Sequence, residues 1–441
     1  MQNKKLKTNL DSIIIGFAIF AMFFGAGNLI FPPYLGLRTG SNWLIAFIGF
    51  VIGDIFLVSL VVMSWYSFTG DDPLPILQRV GKLPSMIMGS LICLAVGPFL
   101  AIPRTGAVSY EISIQPIFPS INRVVFSIIF FSIALLLAIT ESKIIDIIGK
   151  YLTPILLIGL VTLILIGIFK PIGISSSNAI VRQNLFSEGL TQGYQTLDSI
   201  NASAIGVMVI TSIKARGHKE SDVIFKVMAK STFIMAMLLI LVYGGLCYIG
   251  STAIMKYDGN TIQQTELLIC IVKDLMGKKG EWLLGVIVLF ACMTTTVGLS
   301  GMIANYFAII SRGKISYKLA LSLIIIVSAF LSILGTSTII QYAVPILSIM
   351  YPLTITMTVL TIFNRKINNN IVYKIGAVVA LIMGILEAVK VPFLSVLPFQ
   401  NLDLGWICPV TICCLASFIF SKNKYTKEEN VLPREKVSQD K

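Results

Sequence analysis

Apolar residues in this chain come in long uninterrupted runs, with short polar clusters between them. A helix crossing a hydrocarbon core of roughly 30 Å needs about 20 apolar residues. About twelve runs meet that length, near 11–36, 42–68, 84–112, 123–140, 144–170, 191–213, 223–250, 281–310, 317–334, 338–363, 372–389 and 404–421. The pattern predicts an all-α membrane protein of about twelve spans in one transmembrane domain, residues 1–421. After Ser421 the chain turns polar and charged with no apolar periodicity, so 422–441 are expected to be a disordered tail. In the longest loop, 251–280, the apolar spacing of 261–272 predicts a short helix lying over the protein surface.

Two runs depart from uniform apolarity. The first contains Phe23-Phe24-Gly25-Ala26-Gly27-Asn28-Leu29-Ile30-Phe31-Pro32-Pro33, with two glycines and an asparagine at mid-membrane depth. These residues weaken helix propagation. Lipid offers no partner to a freed backbone group, so a break there is tolerated only within protein or beside a wet cavity. The sixth run begins Gly189-Leu190-Thr191-Gln192-Gly193-Tyr194-Gln195-Thr196-Leu197-Asp198-Ser199-Ile200-Asn201-Ala202 and is polar through its first half. Breaks in the first helix of each of two five-helix repeats point to the site of an inverted-repeat transporter, where freed N–H and C=O groups meet an anionic head and a cation. The odd helix count inverts the second repeat. The breaks set repeat one at about 11–170, repeat two at about 190–363 and two extra helices at about 372–421.

Composition and charge narrow the class. The chain is 56% hydrophobic and 12% charged, with mean hydropathy +0.88, which no soluble globule can bury. The net charge of +13 does not signal nucleic acid. With the N-terminus inside and spans alternating, 24 of the 34 Lys and Arg fall on inside segments. That asymmetry fits a multi-pass protein with both termini cytoplasmic. The first run is too long for a signal peptide, and further spans follow it. The seven cysteines (Cys93, Cys247, Cys270, Cys292, Cys408, Cys413, Cys414) show no metal spacing and read as small hydrophobes. His218, the one histidine, reads as a surface residue, and Asp71-Asp72-Pro73 as a loop turn.

Ionisable residues inside spans are costly and face a cavity or a partner. Here they are Asp54 in span two, Arg104 and Glu111 in span three, and Asp198 in span six. Glu387 and Lys390 at the end of span eleven are expected to form an interfacial i,i+3 pair. Arg104 and Glu111 lie two turns apart and are expected to pair with each other or with Asp54; a structural pair and a substrate contact stand level. Asp198, beside Thr196 and Ser199, could receive an amino group, help hold a cation, carry a proton, or cap an inner half-helix beginning near Ser199 or Asn201. Span eight holds Ala291-Cys292-Met293-Thr294-Thr295-Thr296. A single threonine in such a helix bonds the preceding turn's carbonyl. Three in a row cannot all face one neighbour, and hydroxyls with free carbonyls make an all-oxygen site suited to Na⁺.

The Phe23-to-Pro33 motif, Gly97-Pro98-Phe99-Leu100-Ala101-Ile102-Pro103-Arg104-Thr105 and the Thr294-Thr295 region closely resemble the bacterial branched-chain amino acid carrier family, the BrnQ-type leucine/isoleucine/valine:cation symporters. The resemblance covers essentially the whole chain. That family is placed in the amino acid–polyamine–cation superfamily, whose architecture is the LeuT fold. The resemblance implies a LeuT-like 5+5 inverted repeat with broken helices 1 and 6, plus two C-terminal helices, in the bacterial cell membrane. It implies that backbone around Gly25, Ala26, Gly27 and Asn28 meets the substrate carboxylate, with Gln195, Thr196 and Asp198 on the other side. Ala291, Thr294 and Thr295 match the fold's sodium pattern, and the carbonyls of Ala21 and Phe24 would complete it. Asp198 stands where that pattern has a small hydroxyl residue, which admits H⁺ coupling as the alternative to Na⁺.

The expected function is thus import of leucine, isoleucine and valine with Na⁺ by alternating access. The aliphatic chain would lie among spans one, three, six and eight, with Phe23 and Tyr110 in the pocket; Arg104 is a further substrate-binding candidate. Burying it is worth roughly 1.5–3 kcal/mol, and one methylene changes binding by only about 1–3 kcal/mol, so the three amino acids should compete. A channel is the rival of another class, but no filter-like repeat is present. No nucleophile–base pair or metal cluster points to an enzyme. No cofactor, nucleic acid or obligate protein partner is expected beyond the amino acid, Na⁺ or H⁺, and lipid.

Overall fold

A computed structural model describes residues 2–67, 75–139, 143–176, 180–181, 184–218, 220–364, 366–367 and 369–429. The Asp71-Asp72-Pro73 turn and residues 430–441 lie outside them. The described residues contain sixteen α-helices and no strand. In order these are α1 (Gln2–Phe23), α2 (Ala26–Thr39), α3 (Trp43–Val51), α4 (Leu57–Ser64), α5 (Lys82–Leu94), α6 (Ile102–Ser109), α7 (Arg123–Ile139), α8 (Lys143–Phe169), α9 (Leu185–Tyr194), α10 (Asp198–Ala215), α11 (Ser221–Thr252), α12 (Gln264–Ile310), α13 (Tyr317–Ser332), α14 (Thr336–Ile362), α15 (Asn370–Ala388) and α16 (Ile407–Glu429). Each predicted apolar run is occupied by helix, and six helical stretches are individually long and apolar enough to cross a bilayer. α16 runs on to Glu429, so its helix continues past the apolar run into the polar segment.

The two predicted interruptions are real gaps. Span one stops at Phe23 and resumes at Ala26; span six stops at Tyr194 and resumes at Asp198. The outer flank of the first gap, α2, is buried at nearly every position, as a helix that is apolar all round must be. Spans two and three hold together differently. π-turns interrupt them at Ile52–Phe56, Ala95–Ala101 and Tyr110–Ile114, and the first and third carry Asp54 and Glu111. Such single-turn bulges commonly sit at functional sites.

Glycines let the helices around the gaps touch backbone to backbone. Gly49 and Gly53 on the α3 side meet Phe186 and Leu190 of α9, and Gly189 and Gly193 of α9 meet Ala46 and Phe50; a Cβ on Gly189 would fall 1.8 Å from the Ala46 carbonyl oxygen. Gly36 and Gly250 do the same for α2 and α11, each 1.9 Å from the facing carbonyl oxygen if given a Cβ. Small residues at this spacing are the membrane device for close helix approach.

The predicted surface helix forms the first part of α12. A bend at Gly277 (φ 66°) separates it from span eight, and Leu267, Leu268, Ile271 and Val272 are its buried face.

Three pairings differ from expectation. Arg104 does not meet Glu111. Glu111 pairs with Arg123 at 3.3 Å, accepts from the Thr265 hydroxyl at 2.8 Å and from the Thr336 N–H at 3.0 Å, and so ties four elements at one end of the bundle. His218 is buried rather than free at the surface: its Nε2 lies 2.8 Å from Asp11 Oδ2, and Arg216 donates to Asp11 Oδ1 at 3.1 Å. Glu387 and Lys390 form no ion pair among the described residues. Lys390 leaves the helix at φ 55°, and Glu387 instead accepts a hydrogen bond from the Trp406 backbone.

Candidate functional site

The first gap is built by Asn28. Its Oδ1 accepts the Gly25 N–H at 3.2 Å, which turns that N–H away from α1. The last carbonyls of α1, from Ala21 onward, and the first N–H groups of α2, on Ala26, Gly27 and Asn28, then face each other across an opened backbone. Pro32 and Pro33 have no N–H, so the carbonyls of Asn28 and Leu29 also lack their usual helical donor. Asn28 Nδ2 donates to Asp198 Oδ2 at 2.5 Å and to the Tyr243 hydroxyl. One amide thereby ties together span one, span six and α11. Phe24 and Phe50 pack around the Tyr243 ring.

The second gap is braced from behind. Leu197, fully buried, takes the left-handed conformation (φ 72°), a sparsely populated state for a leucine. The three carbonyls released at the end of α9 all find donors. Tyr351 donates to Tyr194 at 2.9 Å and stacks on its ring, while Arg104 donates to Gln195 and, at 3.0 Å, to Thr196. A guanidinium at a helix C-terminus also meets the negative end of its dipole. This is why Arg104 leaves Glu111 and Asp54 alone: its fork is committed to backbone.

Asp198 opens α10, and Leu197, not Ser199 or Asn201, accepts the first helical bond (from Asn201 N–H at 2.9 Å). Its carboxylate therefore lies in the first turn of α10 but reaches across to Asn28. Thr196 joins this cluster, its hydroxyl oxygen 3.0 Å from Asp54 Oδ1. Around it Gln195 Oε1, Asn201 Oδ1 and Asp54 Oδ2 are buried without a hydrogen-bond partner. Unsatisfied polar atoms at that density call for a ligand or water.

The threonines of span eight all bond back to the preceding turn. Thr294 and Thr295 each donate to the Ala291 carbonyl, at 2.9 and 3.0 Å, and Thr296 bonds Cys292 and Thr105. The first two hydroxyls keep their lone pairs free, so Ala291 O and two hydroxyl oxygens form one cluster. Thr295 faces the first gap, its methyl 3.9 Å from where a Cβ on Gly25 would stand. Ala21, Gly25, Ala291, Thr294 and Thr295 are all partly exposed, whereas Phe23, Phe24 and Asn28 are buried. The two hydroxyl oxygens could hold a hard monovalent cation, while the Ala291 carbonyl already accepts both hydroxyls.

The structure thus brings Gly25, Ala26, Gly27, Asn28, Arg104, Gln195, Thr196 and Asp198 into one neighbourhood. Tyr110 is placed elsewhere. Its hydroxyl bonds the Ile121 carbonyl at 2.9 Å, and its ring packs on Phe126 beneath Arg123. The π-turn that begins at Tyr110 carries it to the Glu111 cluster. Sequence reasoning missed Tyr243 and Tyr351 as partners of the gaps. A hydroxyl inside an apolar run was the available signal.

Comparison with known proteins agrees with this architecture. A family model described as branched-chain amino acid transport protein matches residues 8–424. The branched-chain amino acid permease BrnQ of Bacillus subtilis (strain 168) is 33% identical over 426 residues, covering 93% of this chain and 96% of the relative. A relative in Staphylococcus aureus (strain bovine RF122 / ET3-1), named as a branched-chain amino acid carrier, is 35% identical over 428 residues, covering 92% and 95%. Among solved structures, the inward-facing conformation of Mhp1 superposes with TM-score 0.62 at 13% identity, covering 93% of this chain and 91% of that one. A substrate-bound, outward-open Na⁺-coupled sialic acid symporter gives 0.60 at 14% identity, covering 93% and 90%. At such identities the likeness is one of fold, the LeuT fold with its two interrupted helices. On sequence, the chain belongs to the branched-chain amino acid transport protein family.

Proposed function

We propose that this protein imports leucine, isoleucine and valine with Na⁺ by alternating access. The observation that carries the reading is the first gap. The first-turn N–H groups of α2 stand on one side of the opened backbone, and Thr295, whose hydroxyl shares the Ala291 carbonyl with Thr294, lies beside Gly25. The positive end of α2 suits a carboxylate. The carbonyls of Ala21 and Phe24, at the end of the first half of span one, would suit Na⁺ together with the two hydroxyls. Phe23, at the end of α1, and the gap-six residues would border the aliphatic chain.

A second reading, H⁺-coupled uptake of the same amino acids, is favoured by one feature: the Asp198 carboxylate on Asn28 at the centre of the site. Radiolabelled leucine uptake into proteoliposomes separates the two. Uptake driven by an imposed Na⁺ gradient, and lost in Thr295→Val, is the expected result. Uptake driven by a pH gradient without Na⁺ transfers coupling to a carboxyl. Saturable accumulation in either case disposes of a channel.

A further inference from the structure

Asp54 has no part in the function proposed above, yet it is fully buried within the π-turn of span two. Thr196 and Asp198 face it from the second gap, Tyr243 from α11 and Tyr351 from α14. The guanidinium in this region, Arg104, is held on the carbonyls of Gln195 and Thr196. Asp54 Oδ2 has no hydrogen-bond partner among the described residues.

The hydrogen count at Thr196 decides what Asp54 can be. Thr196 Oγ1 lies 2.7 Å from the Gly193 carbonyl oxygen and 3.0 Å from Asp54 Oδ1, and the Asp198 N–H points to it at 3.4 Å. A threonine hydroxyl has one proton and an ionised carboxylate has none. The nearer acceptor is Gly193, the ordinary one-turn-back carbonyl of α9. If the hydroxyl proton goes there, an ionised Asp54 leaves two oxygens facing each other at 3.0 Å with no hydrogen between them. If the proton goes to Asp54, the Gly193 carbonyl keeps only the N–H groups of Gln195 and Thr196, and Asp54 Oδ2 still bears buried charge without a hydrogen-bond partner among the described residues. A carboxyl proton on Oδ1 removes the buried charge and gives each contact a hydrogen: Asp54 donates to Thr196, and Thr196 donates to Gly193.

We propose that Asp54 is a positioning residue that carries an exchangeable proton, and that the chain Asp54–Thr196–Gly193 locks the end of α9 at the second gap. This rests on the second gap being part of the substrate site, and not on which ion drives uptake. Losing the proton draws the Thr196 hydroxyl to Asp54 and loosens the helix end that Arg104 and Tyr351 brace. Leucine affinity should then fall as pH rises through the titration, by up to about tenfold per pH unit, the slope of one linked proton.

The test uses the purified full-length carrier. Infrared difference spectra across a pH series report the carbonyl stretch of a protonated carboxyl, and tritiated-leucine binding over the same series reports affinity. The expected band shifts in D₂O, survives Asp198→Asn, moves in Thr196→Val and is absent from Asp54→Asn. That last variant, a neutral near-isostere, should bind leucine with affinity independent of pH over that range. Absence of a carboxyl band in the wild type overturns the proposal. So does a band removed by Asp198→Asn, a band unmoved in Thr196→Val, or a wild-type pH profile in Asp54→Asn. Should Asp54→Asn not fold, Thr196→Val, which leaves Asp54 in place, still decides through the band position. A folded carrier that shows the band but binds no leucine sinks the substrate reading and leaves the Asp54 assignment standing.

Discussion

The two glycines of the first gap do different work, although in sequence they form one Gly-Ala-Gly. Gly25 has φ −114° and ψ −167°, an extended conformation open to any residue, and a Cβ there would meet nothing closer than 3.7 Å. Gly27 lies in the first turn of α2, where a Cβ would stand 2.9 Å from Arg104 Nη2 and 3.1 Å from both Arg104 Cζ and Phe31. The guanidinium cannot yield, because two carbonyls of the second gap hold it. Gly25→Ala should therefore keep leucine uptake within about twofold, as unstrained substitutions do. Gly27→Ala should lower kcat/KM by about tenfold or more, equivalent to about 1.4 kcal/mol, at normal expression. Uptake assays on both variants check this; equal effects would show that Arg104 is free to move. Sequence shows that the backbone breaks here, since Gly and Asn in mid-membrane have few other uses. It does not show which glycine is steric, because the obstructing residue is in another span.

At the scale of elements, the seam between α3 and α9 sets where the second gap lies. Gly189 sits against Ala46 and Gly49 against Phe186, so the polar half of span six is drawn onto span two as far as backbone contact allows. Gly189→Ala would force its Cβ to within 1.8 Å of a carbonyl oxygen, with no side chain able to give way. It should abolish a monodisperse peak in size-exclusion chromatography or lower the midpoint of thermal unfolding sharply. Gly298→Ala, on span eight where a Cβ meets nothing within 4 Å, serves as the control and should behave as wild type. A normal Gly189→Ala carrier would mean the two helices can separate without loss of the fold. Much at this scale was legible: the apolar runs marked the spans, and the polar opening of span six marked its break. The π-turns were not. An extra residue per turn leaves hydropathy unchanged, yet it rotates the side chains beyond it, which is how Tyr110 and Glu111 come to face Arg123 rather than the gap.

Across the whole molecule, the two halves of span one are buried unequally, a difference the proposed alternating access would use. α2 is enclosed by α11, α3 and α12, with nearly every residue buried. α1 leaves Leu10, Ile13, Ile14 and Phe17 exposed. Its other face seats Ile15, Ile19, Phe20 and Phe23 in the core, and near its start it has polar links: Asp11 to Arg216 and His218 beyond α10, Asn9 to Lys230 at 2.7 Å, and the Ser12 carbonyl to Ser231 at 2.9 Å. These joins were invisible in sequence, where Asp11 and His218 stand 207 residues apart and each reads as an ordinary polar flank. A half-helix that keeps one apolar face toward lipid, ends at a backbone gap and is tied by a polar cluster at its far end can pivot once Ile15, Ile19, Phe20 and Phe23 repack against their neighbours. That is the kind of two-state element on which rocking of one bundle against another depends. Asp11→Asn removes the charge that both Arg216 and His218 address, and should speed hydrogen exchange in residues 8–20 while residues 26–39 keep wild-type protection. Unchanged exchange in 8–20 would mean the cluster does not hold α1. Faster exchange on both sides of the gap would mean the substitution loosens the whole bundle, so that α1 is not a separate moving part.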